Sequence, residues 1–134
     1  MINILYRLLY NKFGNSVKVQ KYYSGASYEF LASNYAEIGK NVMLIVENGF
    51  EPDTSYEAGA HPASATIWNF SIFVIEGVHN DGKRLITHKE IMALADTYND
   101  DDSIFTIKPI AGTALPIDKD YIVYEYRLTV YDYS

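Results

Sequence analysis

The sequence predicts an α+β fold: a single mixed, mainly antiparallel sheet with two or three helices packed on one face and a long acidic arm. Three observations carry that expectation. Residues Ala65–Glu76 form an unbroken run rich in β-branched and aromatic side chains, free of Gly and Pro, with no charge before Glu76. Such a run reads as a strand at the middle of a sheet. The closing segment, Tyr121–Tyr133, alternates Ile122, Tyr124, Tyr126, Leu128 and Val130 on one face with Tyr121, Val123, Glu125, Arg127, Thr129 and Tyr131 on the other. Two stretches instead repeat their apolar residues at helical spacing.

In chain order, Ile2, Leu5, Tyr6, Leu9 and Phe13 make one helical stripe, stopped at Gly14. Ser16–Tyr23 alternates and predicts a short strand. Tyr28, Leu31, Ala32, Tyr35 and Ile38 outline a third helix, which Ser33 and Asn34 weaken, so helix or loop stays open there. Val42–Val46 is a short apolar run bounded by turn residues, the pattern of a buried strand. Asn48–Ser64 holds Gly49, Pro52, Gly59 and Pro62 among its acids and predicts a long arm or hairpin that orders against a partner.

The central strand follows, with Thr66, Trp68, Phe70, Ile72 and Val74 on its apolar face. Thr87 and Glu90 have the spacing of a capping box, and Ile86 and Ile91 that of a hydrophobic staple. They open a helix whose buried stripe is Ile91, Leu94, Ala95 and Tyr98, and which ends before Asp100-Asp101-Asp102. Carboxylates at a helix C-terminus oppose its dipole. Ile104–Lys108 is a strand cut by Pro109, Ala111–Pro116 a loop, and the final strand pairs antiparallel with the central one.

A chain of 134 residues is long enough for one domain, 1–134, with a core that needs no staples. The absence of cysteine excludes disulfides and thiolate metal sites, and fits synthesis in a reducing cytoplasm. No tract reaches the ~18 apolar residues of a membrane span, and the N-terminus does not read as a signal peptide. The formal charge is −6, and residues 41–82 contain no Lys or Arg beside six acids, so binding to nucleic acid through a basic face is not expected. Thirteen tyrosines suit a surface that meets protein, although strand-rich domains also use Tyr on half-exposed faces.

Catalytic and cofactor patterns are absent. His61, His79 and His88 form no HExxH pair, and His88 falls at the first position of the capped helix. His61 with Asp53 and Glu57 is the best metal set by type, but a loop is a poor cage for a cation. There is no phosphate-binding glycine motif and no GxSxG elbow. Glu47, Glu51 and Glu76 offer carboxylates, yet spacing selects no pair. The expectation is no enzyme, no cofactor and no metal.

Taken together, the N-terminal helix, the apolar strand, the acidic arm, the Trp-bearing strand, the capped helix and the closing Tyr-rich strand give the chain an architecture that resembles the tail-terminator family of long-tailed bacteriophages. Val42–Val46, Thr66–Val74 and Tyr121–Tyr131 carry the likeness. The resemblance implies a virion structural protein that forms a ring, usually a hexamer, on the head-proximal end of the tail tube. That ring ends tube growth and joins tail to head, with no catalytic residues. The implied partners are further copies of itself, the tail-tube protein and a head-completion or stopper protein. DNA passes without specific binding and no membrane is involved.

A ring needs a contact that differs on its two sides and closes on itself. The equipment for it is Phe50, Glu51, Asp53, Tyr56 and Glu57 in the arm, and Tyr121, Glu125, Arg127 and Tyr131 on the last strand. Asp100, Asp101 and Asp102, or the arm's acids, are candidates for an acidic lumen that DNA slides through. The alternatives are a small non-catalytic domain that binds protein through a Tyr-rich sheet surface and, third, a small enzyme acting on a cationic or neutral substrate.

Overall fold

The computed structural model describes residues 1–22, 41–52, 65–77, 84–101, 103–115 and 121–133. Six strands dominate them: β1 (Lys18–Tyr22), β2 (Val42–Pro52), β3 (Thr66–Gly77), β4 (Asp96–Asp100), β5 (Ser103–Leu115) and β6 (Tyr121–Asp132). They form one sheet in the order β1-β2-β3-β6-β5-β4, parallel between β1 and β2 and antiparallel elsewhere. The sheet curls into a half-barrel. Among the described residues two helices accompany it, α1 (Ile2–Phe13) and the five-residue α2 (His88–Met92).

That corrects the expected α+β class. The described chain is 63% strand and 19% helix, a mostly-β half-barrel and not a sheet covered by packed helices. The difference arises at three places. The capped helix stops at Met92 where the stripe predicted a run to Tyr98, because residues 96–100 pair with β5. Asp, Thr and Asn are weak helix formers, whereas Tyr98 in a strand stacks on Phe105 at 5.3 Å and donates its hydroxyl to the Leu94 carbonyl at 2.9 Å.

Pro109 does not cut β5. β4 pairs only as far as Ile107, so Pro109 lies beyond its end and leaves no ladder donor missing. The expected loop from Ala111 is also strand, paired through Leu115 with Val123 after a bulge between Pro109 and Ala111. The possible helix at 27–38 and the arm from residue 53 to 64 lie outside the described residues. Asn48–Pro52, the start of the expected arm, is strand.

Several expected elements are present. α1 ends at Gly14 and buries Ile2, Leu5, Leu9 and Phe13. The capping box forms, with Thr87 Oγ1 accepting from Glu90 N at 3.2 Å and Glu90 accepting from Thr87 N at 3.1 Å. Ile86 and Ile91 are both fully buried, as a staple requires. β3 and β6 pair antiparallel along their full length.

The larger core lies between α1, Ile86, Ile91 and Leu94 on one side and Met43, Ile45, Phe70, Ile72, Val74, Leu128 and Val130 on the other. α1 touches both outer strands. Arg7 reaches Asp100 of β4 at 3.4 Å, and Lys21 of β1 lies over the Tyr6 ring at 4.9 Å. A second apolar cluster (Val42, Leu44, Val46, Phe73, Ile75 and Val123) sits on the opposite face. Both faces of β2 and β3 are thus buried over this stretch, which explains why Val42–Val46 is apolar without alternation.

Candidate functional site

Two clusters stand out from the packing. The first is built on the last inward residue of β3. Glu76 follows four apolar residues on its face and is only 1% exposed. A carboxylate so placed needs donors, since an unpaired buried charge is strongly destabilising. The chain supplies them just before α2. Glu76 accepts from Arg84 Nη2 at 3.2 Å, from Ile86 N at 3.4 Å and from Leu85 N.

Arg84 spreads the charge further. Its guanidinium lies 4.2 Å from the centre of the Tyr124 ring, and Nη1 donates to Tyr126 Oη at 3.2 Å. His88 Nδ1 stands 2.5 Å from the same oxygen, with its ring edge-on to Tyr124 and Tyr126. Arg84 donates to Tyr126, and the Tyr126 hydroxyl donates to His88 Nδ1 in the tautomer that leaves that nitrogen an acceptor. Burial pushes the Tyr126 phenol above its usual value of 10.0, and the neighbouring Arg84 opposes that rise. Arg84 Nε, by contrast, is buried with no hydrogen-bond partner among the described residues. The cluster ties the segment entering α2 to the sheet.

The second cluster is aromatic and open. A register shift between Glu47 and Gly49 inserts one residue into β2. Gly49 takes φ 125°, a backbone region that side chains disfavour. The extra residue turns Phe50 onto the face of Trp68, its cross-strand partner, where an unbulged register would pair it with Ile67. The two rings lie 4.9 Å apart, and Trp68 stacks in turn on Phe70 at 6.5 Å. Phe50 stays 66% exposed, so a large apolar side chain seated on a partly buried indole faces solvent. Trp68 Nε1 is buried and has no hydrogen-bond partner among the described residues.

No family model matches this chain, and no curated protein does either.

The expected site residues scatter between these places. Phe50 and Glu51 stand at the end of β2, both exposed, whereas Asp53, Tyr56 and Glu57 lie outside the described residues. Tyr121, Glu125, Arg127 and Tyr131 do share the face opposite α1, but β6 is flanked by β3 and β5 and offers no sheet edge. Glu125 is occupied by Ser71, whose hydroxyl donates to it at 2.7 Å while accepting from Asn48 Nδ2 at 2.7 Å. Arg127 is exposed, Tyr131 carries Lys108 over its ring at 4.7 Å, and Tyr121 packs against the second apolar cluster.

Asp100 and Asp101 stand at the β4–β5 hairpin, not beyond a helix, and Asp102 lies outside the described residues. His61 and His79 also lie outside them. Among the described residues no three His, Asp or Glu side chains converge as a metal site. Sequence reasoning missed Arg84 as the partner of Glu76, and Tyr124 and Tyr126 as the partners of Arg84. The signal was present in Glu76 itself, a lone acid closing an apolar strand face, which calls for a cation from elsewhere in the chain.

Proposed function

We propose that this chain is a self-associating structural subunit of the tail-terminator or head–tail joining kind. Copies of it form a closed ring, a hexamer, at the head-proximal end of a phage tail. The ring ends growth of the tube, receives the head-completion protein and lets DNA pass without binding it. The chain is made in the host cytoplasm and acts in the virion without catalysis or cofactor.

The observation that carries this reading is the Phe50–Trp68 end of the sheet. An exposed Phe seated on a partly buried Trp is the kind of aromatic anchor that protein interfaces concentrate. It sits at the root of the segment expected to act as an arm, which suits contact with the next copy. No helix among the described residues is long and apolar enough to cross a membrane.

The reading of a Tyr-rich binding surface has less support. Tyr6, Tyr98, Tyr124 and Tyr126 are engaged within the fold, over α1, on Phe105 and around Arg84.

Light scattering on the size-exclusion eluate of the full chain, over a range of concentrations, tests the proposal. A ring-sized species, lost in Phe50→Asp with secondary structure retained, is the expected result. A strict monomer at every concentration overturns it.

A further inference from the structure

The two outer strands of the sheet carry opposite charge. β1, with the sequence KVQKY, holds Lys18 and Lys21 and no acid. β4, with the sequence DTYND, holds Asp96 and Asp100 and no base, and Asp101 continues the run into the hairpin turn. Each is five residues long, and among the described residues each has a neighbour on one side only.

Ladder geometry shows which backbone groups point away from the sheet. Lys18 N donates to the Asn41 carbonyl at 2.9 Å, so Lys18 and Gln20 turn toward β2, and Val19 and Lys21 turn outward. At the other edge, Tyr133 N donates to the Ile104 carbonyl at 3.0 Å, which points Ile104 toward β6 and the flanking Ser103 and Phe105 toward β4. Their partners Asp100 and Tyr98 point back, and Thr97 and Asn99 turn outward. The Asp96 carboxylate covers one of these groups, accepting from Thr97 N at 2.8 Å. The Thr97 carbonyl and both backbone groups of Asn99 still face away from β5.

Direction also matches. β1 runs parallel to β2, and four antiparallel steps lead from β2 to β4, so β1 and β4 point the same way. Copies related by rotation about an axis along the strands would therefore join β4 to β1 in parallel. Like edges repel: β1 against β1 sets lysines together, and β4 against β4 sets aspartates together. Charge at a sheet edge commonly blocks pairing. Here it blocks only the symmetric pairings and leaves the unlike pair, the head-to-tail contact from which rings are made.

We infer that copies of this chain associate edge to edge, the acidic β4 of one copy against the basic β1 of the next, continuing the sheet from subunit to subunit. The inference rests on the ring reading above and names the surface through which that ring closes. Lys18, on the face away from α1, and Asp96, on the face toward it, give the two edges opposite potential at close range and not a direct ion pair, with Asp101 adding to the acidic side. Asp100 is already held by Arg7, and Lys21 is engaged by Tyr6 and Asn3.

The test uses the full chain with Lys18→Glu and with Asp96→Lys/Asp101→Lys, all on exposed side chains. Light scattering and sedimentation should show the unaltered chain associating at low salt. Near 1 M salt, where the Debye length shrinks to ~3 Å, association should weaken. Each variant alone should raise the dissociation constant by about tenfold or more. An equimolar mixture of the two should recover association, because each then offers the other an unlike edge. Unchanged thermal midpoints separate this from misfolding. A chain that associates with no response to salt or to either variant overturns the edge contact and leaves the ring proposal standing on Phe50. A chain that never associates overturns both.

Discussion

Thr87 does two things that can be separated by substitution. Its hydroxyl accepts from Glu90 N, and its own N–H is returned to the Glu90 carboxylate. Thr87→Ala should cost about 1 kcal/mol of stability by denaturant unfolding and leave association unchanged. Glu76 is a harder case. It is buried under Arg84 and two backbone donors, and Glu76→Ala would strand the guanidinium in a nearly dry site. A loss of about 3 kcal/mol or more is expected, readable as a large drop in the denaturant midpoint.

Tyr126 adds a pH dependence. Burial raises its phenol above 10.0, so the folded chain holds the proton more tightly than the unfolded one. Its contribution is complete below pH 10.0 and is lost as pH climbs from there through the folded value. Tyr126→Phe should flatten that alkaline decline while costing roughly 1 kcal/mol at neutral pH. Tyr98, raised by burial and by Asp96, contributes in the same direction. A pair of urea titrations at neutral and alkaline pH measures both effects.

Among the elements, β5 depends most on what lies beside it. Its second half runs Ala111, Gly112, Thr113 and Ala114, in which only Thr113 favours a strand of its own accord. They hold because β6 lays its tyrosines against them. Gly112 lies opposite Tyr126, and a Cβ at Gly112 would meet that ring at 3.0 Å. Gly112→Val should therefore push the ring from Arg84 and His88, with a cost of about 1–3 kcal/mol from overpacking in the same unfolding assay. The bulge in β2 works at this scale too. It needs the positive φ of Gly49, and it decides that Phe50 and not Gly49 itself meets Trp68.

For the whole molecule, α1 is the piece that lets a curled sheet stand without closing. It lies against both outer strands, through Tyr6 and Asn3 to Lys21 and through Arg7 to Asp100. The two edges are thus held at a fixed separation while their outward backbone groups face away from the sheet. The prediction at this scale, which follows from the proposed edge contact, is a discrete assembly. Light scattering should give one ring-sized mass, not a continuous distribution, because unlike edges on a fixed curve close after a set number of steps.

Legibility followed the range of the interactions. α1, the capping box, the staple and the alternation of β6 were readable because each depends on residues within a turn or two of one another. The central place of β3 was readable because a long uncharged β-branched run has few other uses. The fold class was not. A helical stripe at Ile91, Leu94, Ala95 and Tyr98 satisfies local periodicity as well as a short helix followed by a strand does. Only the pairing of residues 96–100 with β5, and the stacking of Tyr98 on Phe105, chose between them. Nor could the sequence show that Glu76 would find Arg84 eight residues on, or that opposite charges would fall on the two outer strands. Strand order belongs to the tertiary structure, since hydrogen bonds between distant strands fix it and no local pattern records them.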